Sequence, residues 1–311
     1  MFLLYNNLFL PGHAVSVKLN LFFAETLLVA SFGLPDFTDF RTIINPTMKR
    51  RSFVKASLLT SAAGAFVPQI SMASGTFAKT AQEFYELRVY SLKNERQQKL
   101  VEDYFKDAAI PALNRLGNRN IGVFTEVKPT GQTKLYVLVP YNSWDDFLTV
   151  QDKLADDKAY LEAGQAYLNA PATDPAYERI ESSLLKAFAH SPKLQAPEQK
   201  PRIFELRRYE HASESAGKKK LEMFNDAGEI DIFKRLGFNP VFFGETLIGE
   251  LRPNLIYMIT FDDMESHDSH WKAFVADPEW KKISAIPDYA DAKLVSHITS
   301  TMLTPSACSQ I

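Results

Sequence analysis

The sequence predicts an α+β protein built from two tandem ferredoxin-like (β-α-β-β-α-β) units packed sheet to sheet. Three features point there: an internal repeat, the same order of apolar periodicities in each copy, and a proline-rich stretch between the copies. Tyr85-Glu86-Leu87-Arg88-Val89-Tyr90 returns as Phe204-Glu205-Leu206-Arg207-Arg208-Tyr209. Arg115-Leu116-Gly117 returns as Arg235-Leu236-Gly237, and Phe124-x-Glu126 as Phe243-x-Glu245. Tyr136-Val137-Leu138 matches Tyr257-Met258-Ile259, and Ala155-Asp156 matches Ala276-Asp277. All these pairs lie 119–121 residues apart and in one order.

Each element follows from local pattern. Alternation over Glu86–Tyr90 has period two and predicts a strand. Leu100, Tyr104, Phe105, Ala108, Ala112, Leu113 and Leu116 recur at helical steps, so a helix follows, kinked at Pro111 and stopped by Gly117. Val123–Val127 and Leu135–Val139 are strands joined by Lys128-Pro129-Thr130-Gly131, whose residue types favour a turn. A helical stretch from Trp144 to about Leu168 and a strand over Glu181–Phe188 complete the unit. The second copy reads Arg202–Tyr209, Lys218–Leu236, Val241–Ile248, Leu255–Phe261, Glu265–Ile283 and Leu294–Met302. The first unit is placed at 83–190, the linker at 191–201 and the second unit at 202–305.

The first 75 residues stand apart. Residues 1–47 are expected to lie upstream of the true start at Met48, with a membrane segment over Val17–Leu34 as the alternative. Residues 48–75 have the layout of an export signal. Lys49-Arg50-Arg51-Ser52-Phe53-Val54-Lys55 opens an apolar run, Ala56–Val67, and Ser71-Met72-Ala73 offers a small-x-small cleavage site. The paired arginines resemble a twin-arginine signal, which places the mature protein in the periplasm or outside the cell. The run is shorter than the roughly 20 residues that span a bilayer, so no membrane anchor is expected once the signal is removed.

Composition excludes several classes. Beyond residue 75 the chain carries 29 bases and 34 acids and has no long basic run, only the short patch Lys218-Lys219-Lys220 at a helix start, so nucleic-acid binding is not expected. The single cysteine, Cys308, excludes an intramolecular disulfide framework and a Cys-cluster metal site. His267 and His270 stand one helical turn apart, but spacing identifies no third ligand, and no metal is expected. There is no phosphate-binding glycine loop or nucleophile elbow.

The Glu-Leu-Arg-x-Tyr start of each unit, Arg-Leu-Gly-Phe-Asn-Pro-Val at 235–241 and Ala-Asp-Pro-Glu-Trp at 276–280 resemble NIPSNAP-family domains, over about 83–190 and 201–305. The first copy departs at Asn118-Arg119-Asn120 and at Asp156–Tyr160. The resemblance implies the dimeric α/β-barrel superfamily fold, formed here within one chain. It implies no reaction and no cofactor: the wider superfamily includes cofactor-free oxygenases, haem-handling enzymes and non-enzymatic binders.

Alternate residues of a strand share a face. Tyr85, Leu87 and Val89 are expected against the helices, leaving Glu86, Arg88 and Tyr90 to look into the space between the sheets. Glu205, Arg207 and Tyr209 repeat that row. Tyr136, Tyr257 and His297, with Glu126 and Glu245, extend the expected lining. Buried charges must pair or meet a wet or ligand-filled cavity, so these rows are either structural ion pairs or ligand contacts. Three functions remain open: a binder of a small apolar or acidic ligand, an oxidoreductase or monooxygenase-like enzyme in the same cavity, and a structural or partner-binding protein with a closed interior. The binder is preferred, with Arg207→Ala expected to spare the fold and weaken ligand capture. The cofactor is left unassigned, and a further copy of the chain is a possible partner.

Overall fold

Alternating burial over nine residues makes Phe84–Leu92 a strand, β1, and the rest of the first copy supplies β2 (Gly122–Glu126), β3 (Thr133–Tyr141) and β4 (Arg179–Ala187). The second copy supplies β5 (Ile203–His211), β6 (Pro240–Ile248), β7 (Asn254–Phe261) and β8 (Val295–Pro305). These come from a computed structural model that describes residues 81–311; the readings of 1–47 and of the signal segment 48–75 lie outside the described residues. Among the described residues no helix is long and apolar enough to cross a membrane.

Each copy forms a four-stranded antiparallel sheet, in the orders β4-β1-β3-β2 and β6-β7-β5-β8. The sheets do face each other, but they are also joined edge to edge: β2 pairs with β8 and β4 with β6, closing one eight-stranded barrel. Closure satisfies the backbone groups that an isolated sheet would leave at its edges. Every neighbour is antiparallel, so β1, β2, β5 and β6 run one way. The barrel therefore has a floor, where β1 and β5 begin, and a mouth, where they end. The turns 127–132 and 249–253 both lie at the mouth.

The helices cover the outside. Asn94 caps Glu95–Tyr104 by accepting from the Gln97 N–H. A π-helical turn, Phe105–Ala109, then leads into Ile110–Arg115. Pro111 has no N–H to return to the preceding turn, and the helix widens just before it. Gly117, at φ +92°, ends it. In the second copy the helix begins earlier than the pattern suggested, at Glu214 after the Ser213 cap. It breaks at Gly228 (φ +95°) before resuming over Glu229–Arg235. The stretch from Trp144 to Leu168 is likewise three helices, with Asp157 capping the second. Arg115 pairs with Asp157, and Arg235 with Asp277, the cap of Pro278–Ser284. In both copies the arginine of the Arg-Leu-Gly motif thus ties one helix end to another, through Asp277 of the Ala-Asp motif in the second and through Asp157, one residue past that motif, in the first.

Three apolar layers result. One lies between the first sheet and its helices, around Val101, Phe105, Val137 and Tyr141. A second lies under the other helices, around Phe224, Phe233, Phe243 and Tyr257. The third fills the barrel floor with Tyr85, Phe124, Phe204, Phe242, Met258 and Leu303.

Candidate functional site

The structure reverses the expected faces. Tyr85, Leu87, Phe204 and Leu206 point into the barrel, whereas Tyr90 and Tyr209 belong to the layers beneath the helices. Glu86, Arg88, Glu205 and Arg207 share the side of those tyrosines. The cause is closure: both faces of a filled barrel are apolar, so alternation within one strand separates two faces without saying which one the helices cover.

On that outer face the two rows are ion pairs. Arg88 Nε and Nη2 donate to both oxygens of Glu86, each at 2.7 Å, and Ser182 Oγ and Tyr141 Oη donate to the same carboxylate at 3.0 and 3.1 Å. Burial pushes the Glu86 carboxyl up, but Arg88 and these donors outweigh it and hold it below the usual range. In the second half Arg207 Nη1 donates to Glu205 Oε1 at 2.7 Å and its guanidinium lies 4.5 Å from the Trp271 ring centre. Ser300 Oγ, Trp271 Nε1 and His267 Nε2 fill the remaining sites of Glu205 at 2.6, 2.9 and 3.2 Å. Burial again raises Glu205 and is again overcome by Arg207, with Ser300 next. Every lone pair direction of these carboxylates is engaged, so the rows fasten helices and edge strands to β1 and β5.

The tyrosines matched across the repeat separate as well. Tyr136 stands opposite Val89, and Tyr257 opposite Arg207. The residue equivalent to Tyr136 is Ile256, opposite Arg208, and a one-residue slip turns a side chain to the other face. Tyr136 therefore looks into the barrel while Tyr257 is buried under the helices, hydrogen bonded to Tyr209 at 3.1 Å. Glu126 and Glu245 part in the same way, Glu126 facing the interior and Glu245 a smaller surface pocket beside His211. His297 is exposed opposite Glu210 and lines neither cavity. His211 Nδ1 donates to the Leu294 carbonyl at 3.0 Å, and burial holds its imidazole below the usual value. His267 and His270 have different partners, Glu205 and the Ser266 carbonyl. Among the described residues no three His, Cys, Asp or Glu side chains gather as a metal site.

Of the nine candidate residues, Tyr136 alone lines the large cavity, a space of about 720 Å³ in the upper barrel. Its walls follow the strand register. The floor layer is sealed by aromatic and aliphatic side chains; above it stand Leu87, Leu206 and Ile256; the mouth carries Arg208, Lys128 and Lys134 together with Glu126, Glu181 and Glu250. Tyr136 Oη donates to Glu126 Oε1 at 2.7 Å. Burial first, then this carboxylate, pushes the Tyr136 phenol well above its usual value, so it stays protonated at neutral pH. The hydroxyls of Thr299 and Thr301 line the wall nearby.

Arg208 is the residue that the repeat concealed. Its neighbour Arg207 is fully engaged on the outer face, but Arg208 faces the cavity, and among the described residues it has no carboxylate within ion-pair distance and no side-chain hydrogen bond. The signal was in the sequence: Arg207-Arg208 stands where the first copy has Arg88-Val89. An unpaired guanidinium above an apolar wall can take an anionic oxygen in a two-pronged contact.

The family model for NIPSNAP matches residues 85–192 and 204–310. No curated protein matches the chain significantly. Among solved structures, one from Fusobacterium nucleatum, provisionally named a monooxygenase, is 12% identical over 72% of this chain and 93% of its own, with a TM-score of 0.48. One from Lactobacillus acidophilus with the same provisional name is 10% identical over 72% and 94%, with a TM-score of 0.49. An uncharacterized NIPSNAP-like domain protein from Burkholderia xenovorans is 20% identical over 35% of this chain and 90% of its own, with a TM-score of 0.32.

Proposed function

This chain belongs to the NIPSNAP family, and from that premise we propose that it binds a small amphipathic anion inside the barrel. The apolar part of the ligand lies on Leu87, Leu206 and Ile256, and its acidic group meets Arg208. The observation that carries this reading is the contrast between two adjacent arginines, Arg207 satisfied by Glu205 and Arg208 turned without a counter-ion into an open cavity. A cavity of about 720 Å³ suits a ligand of drug-like size and speaks against the reading with a closed interior. Binding of decanoate to the native chain, followed by calorimetry, tests it. Arg208→Ala is expected to weaken decanoate roughly tenfold or more and to leave the melting temperature unchanged, because Arg208 holds no other side chain. Unchanged affinity in that variant would remove the proposal.

Export by the twin-arginine route, to the periplasm or the exterior, is part of the same reading and is supported by Arg50-Arg51 and the apolar run behind them. Replacing both arginines by lysine should retain the protein inside the cell on fractionation; normal export of that variant would refute the assignment.

A further inference from the structure

Leu251 holds a backbone conformation that disfavours it. Its φ is +57°, in the left-handed region that glycine and asparagine adopt readily and a leucine does not. Burial does not compensate: the side chain is 52% exposed. The turn is nevertheless firmly held from within. Asn254 Nδ2 donates to the carbonyls of Glu250 and Leu251 at 3.0 and 2.9 Å, and Asn254 Oδ1 accepts from Thr246 Oγ1 at 2.6 Å. Asn254 and Thr246 are both buried. What this network holds out is an apolar side chain that lines the cavity above the charged layer. Val127 and Met264, also exposed, line the same cavity.

A leucine that fills no core and sits at a position suited to glycine is explained by a contact made only when the cavity is occupied. We infer that Leu251 is a ligand-contact residue, covering the outward side of the anion held at Arg208. The inference rests on the binding reading above and narrows its ligand class. The ligand is an organic anion with apolar groups on both sides of its charge, one turned inward to Leu87, Leu206 and Ile256 and one outward to Leu251. A linear fatty acid, with its charge at one end, supplies only the inward group.

Two probes distinguish these shapes. In 1-anilinonaphthalene-8-sulfonate the sulfonate is borne on the naphthalene beside the anilino group, so aromatic surface flanks it; in decanoate the carboxylate is terminal. Both are titrated against the native chain, Leu251→Gly, Leu251→Asn and Arg208→Ala, the sulfonate by fluorescence and decanoate by calorimetry, with melting temperatures recorded. Leu251→Gly is expected to raise the melting temperature by about 2–4 °C by relieving the backbone. It should also weaken the sulfonate roughly five- to tenfold and leave decanoate within about twofold. Leu251→Asn, which keeps the turn stiffer, should give the same pattern of affinities. Native-like sulfonate binding in both Leu251 variants, or equal losses for the two probes, would overturn the inference. If Arg208→Ala binds both probes as the native chain does, or the native chain binds neither, the cavity reading itself fails. If Arg208→Ala loses both while the Leu251 variants lose neither, only the role of Leu251 falls.

Discussion

Arg207→Ala is expected to cost about 3–5 kcal/mol of stability, because it leaves the Glu205 carboxylate buried without its cation. Glu205 is 1% exposed and keeps Ser300, Trp271 and His267 as donors, but these are hydrogen bonds and not a full counter-charge. The guanidinium also covers the Trp271 ring, so packing is lost with the charge. This replaces the expectation that the variant would spare the fold. Urea unfolding of the single variant against the double variant Glu205→Leu/Arg207→Met provides the check. The double variant should recover part of the loss, since it leaves no unpaired charge, although Ser300, Trp271 and His267 lose their shared acceptor. A single-variant loss below about 1 kcal/mol, within the range of exposed pairs, would show that the pair is not a fastening.

A second large effect should appear with pH. Lys220, 1% exposed, lies 3.6 Å from Glu229 and 3.3 Å from Asp291, beneath the rings of Tyr209, Phe224 and Trp280. Burial pushes the Glu229 carboxyl up to about 7 from 4.5, Lys220 pulling it only part of the way back. The folded chain therefore keeps this proton to higher pH than the unfolded chain does. The sign follows: between pH 4.5 and about 7 stability falls as pH rises, by up to roughly 3 kcal/mol from this one group. Glu229→Gln should flatten that decline in urea titrations across the same window. A decline equally steep in both proteins would dismiss Glu229 as its source.

The repeat, the strand–helix order and the two-unit barrel were readable because each is a matter of period and spacing. Side-chain direction was not. Glu86 and Arg88 alternate with Tyr85 and Leu87 whichever face is inward, and the filled barrel makes both faces apolar. The slip at Tyr136 and Tyr257 has a similar origin. Motifs matched at 121 residues where the paired strands keep 120, and one residue decides between cavity and helix layer. The best-matched motifs are accordingly structural, as the Glu205–Arg207 and Arg235–Asp277 pairs show. Arg208, the residue with a free functional group, stands where the copies disagree.

That disagreement is closed to a pair of identical chains. In an assembly of two identical chains every alteration is made twice, and a cation introduced on one wall meets its own image on the other. Here one wall keeps Val89 while its counterpart carries Arg208, so the pocket is asymmetric between its halves as no symmetric homodimer's could be. A guest without internal symmetry can then be received in a single orientation, with its charge always towards the same half of the molecule.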